Sequence, residues 1–364
     1  MIIREATVND KENWDSFVEI EGGSFFHYFE WKNIYDVKKW RYIPLLLENN
    51  ASQIIGILPM VKINGFLYSR LVSLPEGACG GFLFKKDLTK TKKSQAIQMI
   101  LDYVEQNYSK GCSTFTLKEN LSLIHTSSTT PTRILVNHGF KFRYNEGMKL
   151  PCTYFLELTE SFEDDIWYET WNKYLRNHIR KSQKRGVYVK EDTNLQHMND
   201  YIDMFTTLYK RLHSHPLSKE EIILRLMNFK GKTKIWVAFL EDKPIALLLC
   251  YYMPSICYGS KMVYYDSARK NYATNLLFYE AIKDACDNGY KLFEFGVTLT
   301  SSLAYWKEQF VRTKIPMRIY EKKYSTTRTF FEKVPRLINW SLNNKQYVWN
   351  NRRRIINKIM KEGL

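Results

Sequence analysis

The chain has 364 residues, enough for two domains of ordinary size. With 45% apolar and 25% charged residues it reads as a globular chain with a sizeable core, which excludes disordered and fibrous classes. The net charge of +16 points to a polyanionic partner: nucleic acid, an anionic membrane or a phosphorylated substrate. The six cysteines form no C-x-x-C pair and lie mostly in apolar runs, as small core residues of a reducing compartment do. MIIREATVND lacks an apolar signal core, and the greasiest run, Ile245 to Met253, is too short to span a bilayer. The expectation is a cytoplasmic protein, with contact to an anionic membrane surface as a further option.

In chain order, a first helix is expected over Asn9 to Ile20 and a second over Phe25 to Trp40, with Trp31 and Ile34 facing inward. Strands follow at Tyr42 to Leu47, Gln53 to Ile63 and Leu67 to Leu74, then the glycine-rich loop PEGACGG. Ser94 to Tyr108 reads as a helix, Gly111 as its terminator and Ser113 to Leu117 as a strand.

The second half repeats this order. Lys234 to Leu240, Ile245 to Tyr252 and Ile256 to Tyr264 read as strands. A helix from Asn275, the terminator Gly289 and the strand Leu292 to Phe295 follow. The offset of about 180 to 190 residues marks an internal duplication. The expected architecture is α/β, two similar domains with mixed sheets, divided as 1–155 and 156–322. A basic helical extension over 323–364 would pack back on the body and offer an amphipathic face to a membrane or an RNA backbone.

Three stretches carry chemistry. Trp167, Trp171, Leu175 and Ile179 recur every four residues, the buried face of one helix. Lys173, Arg176, Arg180, Lys181, Lys184 and Arg185 crowd its other faces, with no acid between Lys173 and Lys190 to pair them at i,i+4. This helix can meet an external anion or present a plain solvated face. The last strand, containing Glu294 and closed by Gly296, leads into Thr300, Ser301 and Ser302, which can cap a short helix bearing Trp306, Lys307 and Phe310. In an α/β sheet the carboxyl end of a strand is the usual place for a ligand. His213 and His215 form an H-x-H pair with no further ligands nearby, so no metal centre is expected. G-x-S-x-G, P-loop, G-x-G-x-x-G and H-E-x-x-H signatures are absent, which argues against hydrolases and NTPases.

Four features, in their order and spacing, resemble the Fem-type (FemABX) aminoacyltransferases. They are Phe29-Glu30-Trp31, the basic Leu175 to Val187 segment, Tyr258-Gly259-Ser260, and Phe293 to Gly296 followed by Trp306-Lys307 to Phe310. The resemblance covers nearly the whole chain and implies two tandem GNAT-like domains. It also implies transfer of an aminoacyl group from aminoacyl-tRNA to an amine of a lipid-linked or nucleotide-linked cell-wall precursor, with no further cofactor. Some relatives use acyl-CoA, so an acyl-CoA-dependent N-acyltransferase is the alternative. A non-catalytic RNA- or membrane-binding protein is the second alternative. The resemblance puts Lys307 beside the acyl donor, with Tyr258 and Glu294 as further catalytic residues. Glu294 stands where the family has aspartate, and Trp306 where it has phenylalanine. Trp31, Arg176, Arg180, Lys181, Lys184, Arg185, Arg211, Trp306 and Phe310 are the expected substrate-binding residues. A glycine-rich pyrophosphate loop of the kind CoA needs is missing: the corresponding segments, KKDLTKTKK and SARKNYATN, contain no glycine. That favours an RNA-borne donor.

Overall fold

The computed structural model describes residues 1–65, 68–75, 80–118, 132–142, 152–211, 217–298 and 300–325. The expected C-terminal extension, the His213/His215 pair and part of the PEGACGG loop lie outside them.

The first half runs β1 (Ile2–Glu5), α1 (Lys11–Glu21), α2 (Trp31–Val37), β2 (Arg41–Glu48), β3 (Ile54–Asn64), β4 (Ser69–Val72), β5 (Leu83–Phe84), α3 (Lys90–Tyr108), β6 (Cys112–Lys118), α4 (Thr132–Asn137) and β7 (Lys141–Phe142). Next come β8 (Cys152–Glu157) and α5 (Lys173–Lys184). The second half runs β9 (Tyr188–Glu191), α6 (Met198–Arg211), α7 (Lys219–Met227), β10 (Thr233–Leu240), β11 (Lys243–Tyr252), β12 (Ile256–Tyr264), α8 (Asp266–Lys270), α9 (Ala273–Asp287), β13 (Leu292–Glu294), α10 (Ser301–Lys307), β14 (Lys314–Pro316) and β15 (Ile319–Lys323).

The duplication is visible in the sheets. One has the order β1-β2-β3-β4-β6-β15-β7, with β5 on β3; the other has β9-β10-β11-β12-β13-β8-β14. Every neighbour pair along these paths is antiparallel except the fourth with the fifth: β4 with β6, and β12 with β13. The sixth strand is exchanged. β15, from the end of the second half, lies between β6 and β7. β8, which follows the first half, lies between β13 and β14. The expected division at 155/156 therefore falls inside a strand of the second sheet, and Ile319–Lys323, within the expected second domain, is a strand of the first.

Three apolar layers result. One packs α3 and α4 on the outer face of the first sheet. One packs α5, α9 and α10 on the outer face of the second. Between the two sheets, α1, α2, α6 and α7 share an aromatic core in which Phe25 stacks on Tyr251 at 4.2 Å. No helix among the described residues is long and apolar enough to cross a membrane.

Two expected helices are broken. Phe25 to Trp40 splits because Tyr28 leaves helical geometry at ψ 143, so a 3-10 turn at Phe25–His27 precedes α2. The tryptophan-rich helix splits at Trp171, which is extended; Asn172 then caps α5, its side chain accepting from the Leu175 N–H at 2.9 Å. The apolar spacing persists across the break, and all four residues of the stripe are buried. Lys190 lies beyond the helix, in β9.

Candidate acyl-transfer site

The parallel pair β12/β13 holds for three positions only: Ile256 with Leu292, Cys257 with Phe293 and Tyr258 with Glu294. β12 continues along β11 to Tyr264, with Ser260 bulged out of the ladder. Beyond Tyr258 and Glu294 the ladder ends, although Gly296 still lies against β12 beside the Gly259 and Ser260 carbonyls. Two glycines stand there, Gly296 for its backbone conformation and Gly259 for lack of space. Gly296 has φ +74, and a Cβ there would sit 3.4 Å from the Gly259 carbonyl. A Cβ on Gly259 would meet the Phe293 ring at 2.9 Å. The matching point of the first half is stitched shut: Ser73 N–H donates to Thr116 O at 2.9 Å, and Lys118 N–H to Ser73 Oγ at 2.7 Å.

Beside the end of the ladder is a buried polar cluster. Thr300 caps α10, accepting from the Leu303 N–H at 3.3 Å, and the helix carries Lys307 back toward the strand. Lys307 is 3% exposed, and its Nζ donates to Gly296 O at 2.7 Å, Thr298 Oγ1 at 3.0 Å and Val297 O at 3.4 Å. Glu294, 2% exposed, accepts from Thr153 Oγ1 on the exchanged strand β8. Burial pushes the Lys307 ammonium down to about 8, against the opposing pull of Glu294. Burial likewise raises the Glu294 carboxyl, while Thr153 and Lys307 hold it down. Lys307 thus fixes the Gly296–Thr298 segment and sets a positive charge behind it.

The structure brings Lys307, Glu294 and Tyr258 to one end of the second sheet. Tyr258 is buried in the aromatic core between the sheets, near Phe25 and Phe26. Trp306 donates to Asn275 Oδ1 at 3.1 Å, and with Phe310 it packs α10 on Phe278 of α9. Trp31 is fully buried under the Arg225 guanidinium and has no surface to offer a ligand. Arg211 pairs with Asp266 at 2.7 Å. Arg176 donates to three carbonyls at the end of the turn before α5, while Arg180, Lys181, Lys184 and Arg185 are exposed. The glycine-free segment after β12 folds as α8 and then places Tyr272 at φ 55 before α9. Thr153 and Thr298 are the members of the cluster that sequence reading passed over. No group of three or more metal-ligating side chains is present among the described residues.

A family model described as "Acetyltransferase (GNAT) domain" matches residues 172–308. No curated protein matches the chain. Among solved structures, FemX superposes with a TM-score of 0.65 at 12% identity, covering 89% of this chain and 97% of that one. L-PGS from Bacillus licheniformis gives 0.56 at 14% identity, with 93% and 99% covered. A tandem GNAT protein from the clavulanic acid biosynthesis pathway gives 0.56 at 9%, with 89% and 98% covered. These findings support an acyltransferase. The chain has a doubled GNAT-like fold, and its second half carries the match to the acetyltransferase domain.

Proposed function

We propose that the chain moves an aminoacyl group from an aminoacyl-tRNA to an amine of a cell-wall or other cell-envelope precursor, forming an amide. The observation that carries this reading is the end of the short β12/β13 ladder beside the Gly296–Thr298 segment, which the buried Lys307 holds. An aminoacyl ester is already activated, so alignment suffices. The amine nitrogen attacks the ester carbonyl, the C–N bond forms, the C–O bond breaks, and the ribose oxygen leaves with the proton the amine loses. Lys307 does not face the reacting atoms in this reading. It positions the backbone beside them and biases the local field toward the developing oxyanion. The lipid-linked or nucleotide-linked acceptor would supply a second anion to a strongly basic protein. Peripheral contact with an anionic membrane would follow from a lipid-linked acceptor.

The match to an acetyltransferase domain favours a second reading, acyl-CoA-dependent N-acylation. Against it stands the glycine-free turn after β12, which folds as a helix instead of an open anion nest. A donor screen separates the two. Purified protein is given labelled aminoacyl-tRNA pools or acyl-CoAs, with lipid-linked and nucleotide-linked precursors as acceptors. Label transfer from RNA supports the first reading, and transfer from CoA alone replaces it with the second. RNA binding with no transfer from either donor leaves a non-catalytic binder.

A further inference from the structure

We propose that the outer face of α5 is a stacking platform for unpaired ribonucleotides, so that the RNA is held by a single-stranded end; this rests on the RNA-borne donor proposed above. α5 presents three stripes. Leu175, His178, Ile179 and Ser182 are buried against the body. Lys173, Arg176, Arg180 and Lys184 follow one another at i, i+3, i+7 and i+11 along the outside, and Tyr174, Lys181 and Arg185 form the stripe beside them. None of these lysines and arginines has an acidic partner among the described residues, whereas Lys11, Lys32, Lys38, Lys232 and Lys234 elsewhere all do. Lys173 also sits in the first turn, where a helix disfavours a cation.

Aromatic rings flank the cations on both sides. Tyr168 and Trp167 lie under the Arg176 and Arg180 guanidinium groups at 5.7 and 5.5 Å. On the other side Tyr174, His178 and Tyr272 form a row with 4.0 Å between successive rings, ending under Arg185 at 5.4 Å. Tyr168 and Tyr174 are 58% and 56% exposed. These two exposed rings, backed by the buried Trp167 and His178 and set among cations, fit a splayed single strand, whose bases are free to stack. A duplex hides its bases, and a membrane interface would call for exposed aliphatic side chains that this face of α5 lacks. The platform is joined to the acyl site. Arg185 donates to Lys270 O, Tyr272 stands before α9, and Asn275 one turn on receives the Trp306 N–H next to Lys307.

The test uses the full chain and fluorescence anisotropy with three probes: an unstructured RNA of about twelve nucleotides, an RNA duplex of the same length, and vesicles of anionic phospholipid. The single strand should bind more tightly than the duplex. Tyr168→Ala/Tyr174→Ala should weaken single-strand binding about tenfold with the salt dependence unchanged. Lys181→Ala/Lys184→Ala should lower the slope of log K against log salt by about 1.4. Circular dichroism confirms folding of each variant. Duplex binding as tight as single-strand binding, an unaltered tyrosine variant, or vesicle binding that the lysine variant loses while RNA binding persists would each overturn the platform. The preceding reading fails separately: transfer from aminoacyl-tRNA that is unchanged in the tyrosine variant keeps that reading and removes the platform. RNA binding that depends on the tyrosines without any transfer does the reverse.

Discussion

The hydroxyl of Thr153 donates to the carboxylate of Glu294, although 141 residues separate them in sequence. Thr153 comes from β8, which follows the first half, and Glu294 from the second half; the contact exists because β8 lies in the second sheet beside β13. A buried carboxylate that loses its donor keeps its desolvation penalty. Thr153→Val, which preserves shape and removes the hydroxyl, should lower stability by about 1–3 kcal/mol. Thr153→Ser should restore most of it. Urea unfolding of the two variants measures both, and equal stability of valine and wild type would remove the hydroxyl from the site.

Lys307 makes the cluster sensitive to pH. Its folded value of about 8 lies below the ordinary lysine value of 10.5, so between these limits the unfolded chain binds more protons than the folded one. Its contribution to stability therefore rises with pH across that interval, and below about 8 the full penalty of burying the ammonium is present. Lys307→Met removes this dependence, at the price of leaving Gly296 O and Thr298 Oγ1 without their donor. The difference in unfolding free energy between wild type and variant should grow in favour of wild type from pH 8 to 10. A flat difference would show the ammonium keeping its solution value. In the donor screen, Lys307→Ala should reduce turnover far more than it reduces the folded fraction.

The exchanged strands make the first sheet depend on the chain's later part. Tyr320 of β15 is buried, pairs in register with Leu117 and Phe142, and meets the Phe142 ring edge-on at 5.6 Å. Tyr320→Ala should cost about 3–5 kcal/mol. Hydrogen exchange locates the damage: amides of β6 should lose protection before those of β11 and β12. Loss confined to the second sheet would contradict the pairing.

The duplicated core was legible because its signals are local. β2 to β3 and β10 to β11 alternate or run apolar between turn residues, and Gly111 and Gly289 end their helices with positive φ, at +78 and +75. The exchange was not legible. CTYFLE and IYEKK read only as short strands, and the sheet a strand joins is decided by tertiary contacts. For the same reason nothing near Thr153 announces Glu294. The resemblance misdirects in another way: Trp31, expected at the substrate, and Tyr258, expected among the catalytic residues, both sit in the layer where the halves bury aromatic faces against each other. Lys307 was found because a lysine on a short helix after the last strand is a local pattern. Its three acceptors appear only once the chain folds back.

Gly296 tests whether the end of the β12/β13 ladder is the working site. Its φ of +74 is a region that an alanine enters at a penalty of about 1–2 kcal/mol. The added methyl would rest in ordinary contact with the Gly259 carbonyl at 3.4 Å and the Ser260 carbonyl at 3.8 Å, covering the end of the β12/β13 ladder. Gly111→Ala is the control. Its φ of +78 carries the same backbone penalty, and its Cβ direction is open space. The two variants should lose similar stability in urea. Only Gly296→Ala should lose most of its transfer activity under conditions where both remain folded, because only there does the methyl cover the end of the β12/β13 ladder. Equal activity in the two variants would move the chemistry away from this pair of strands.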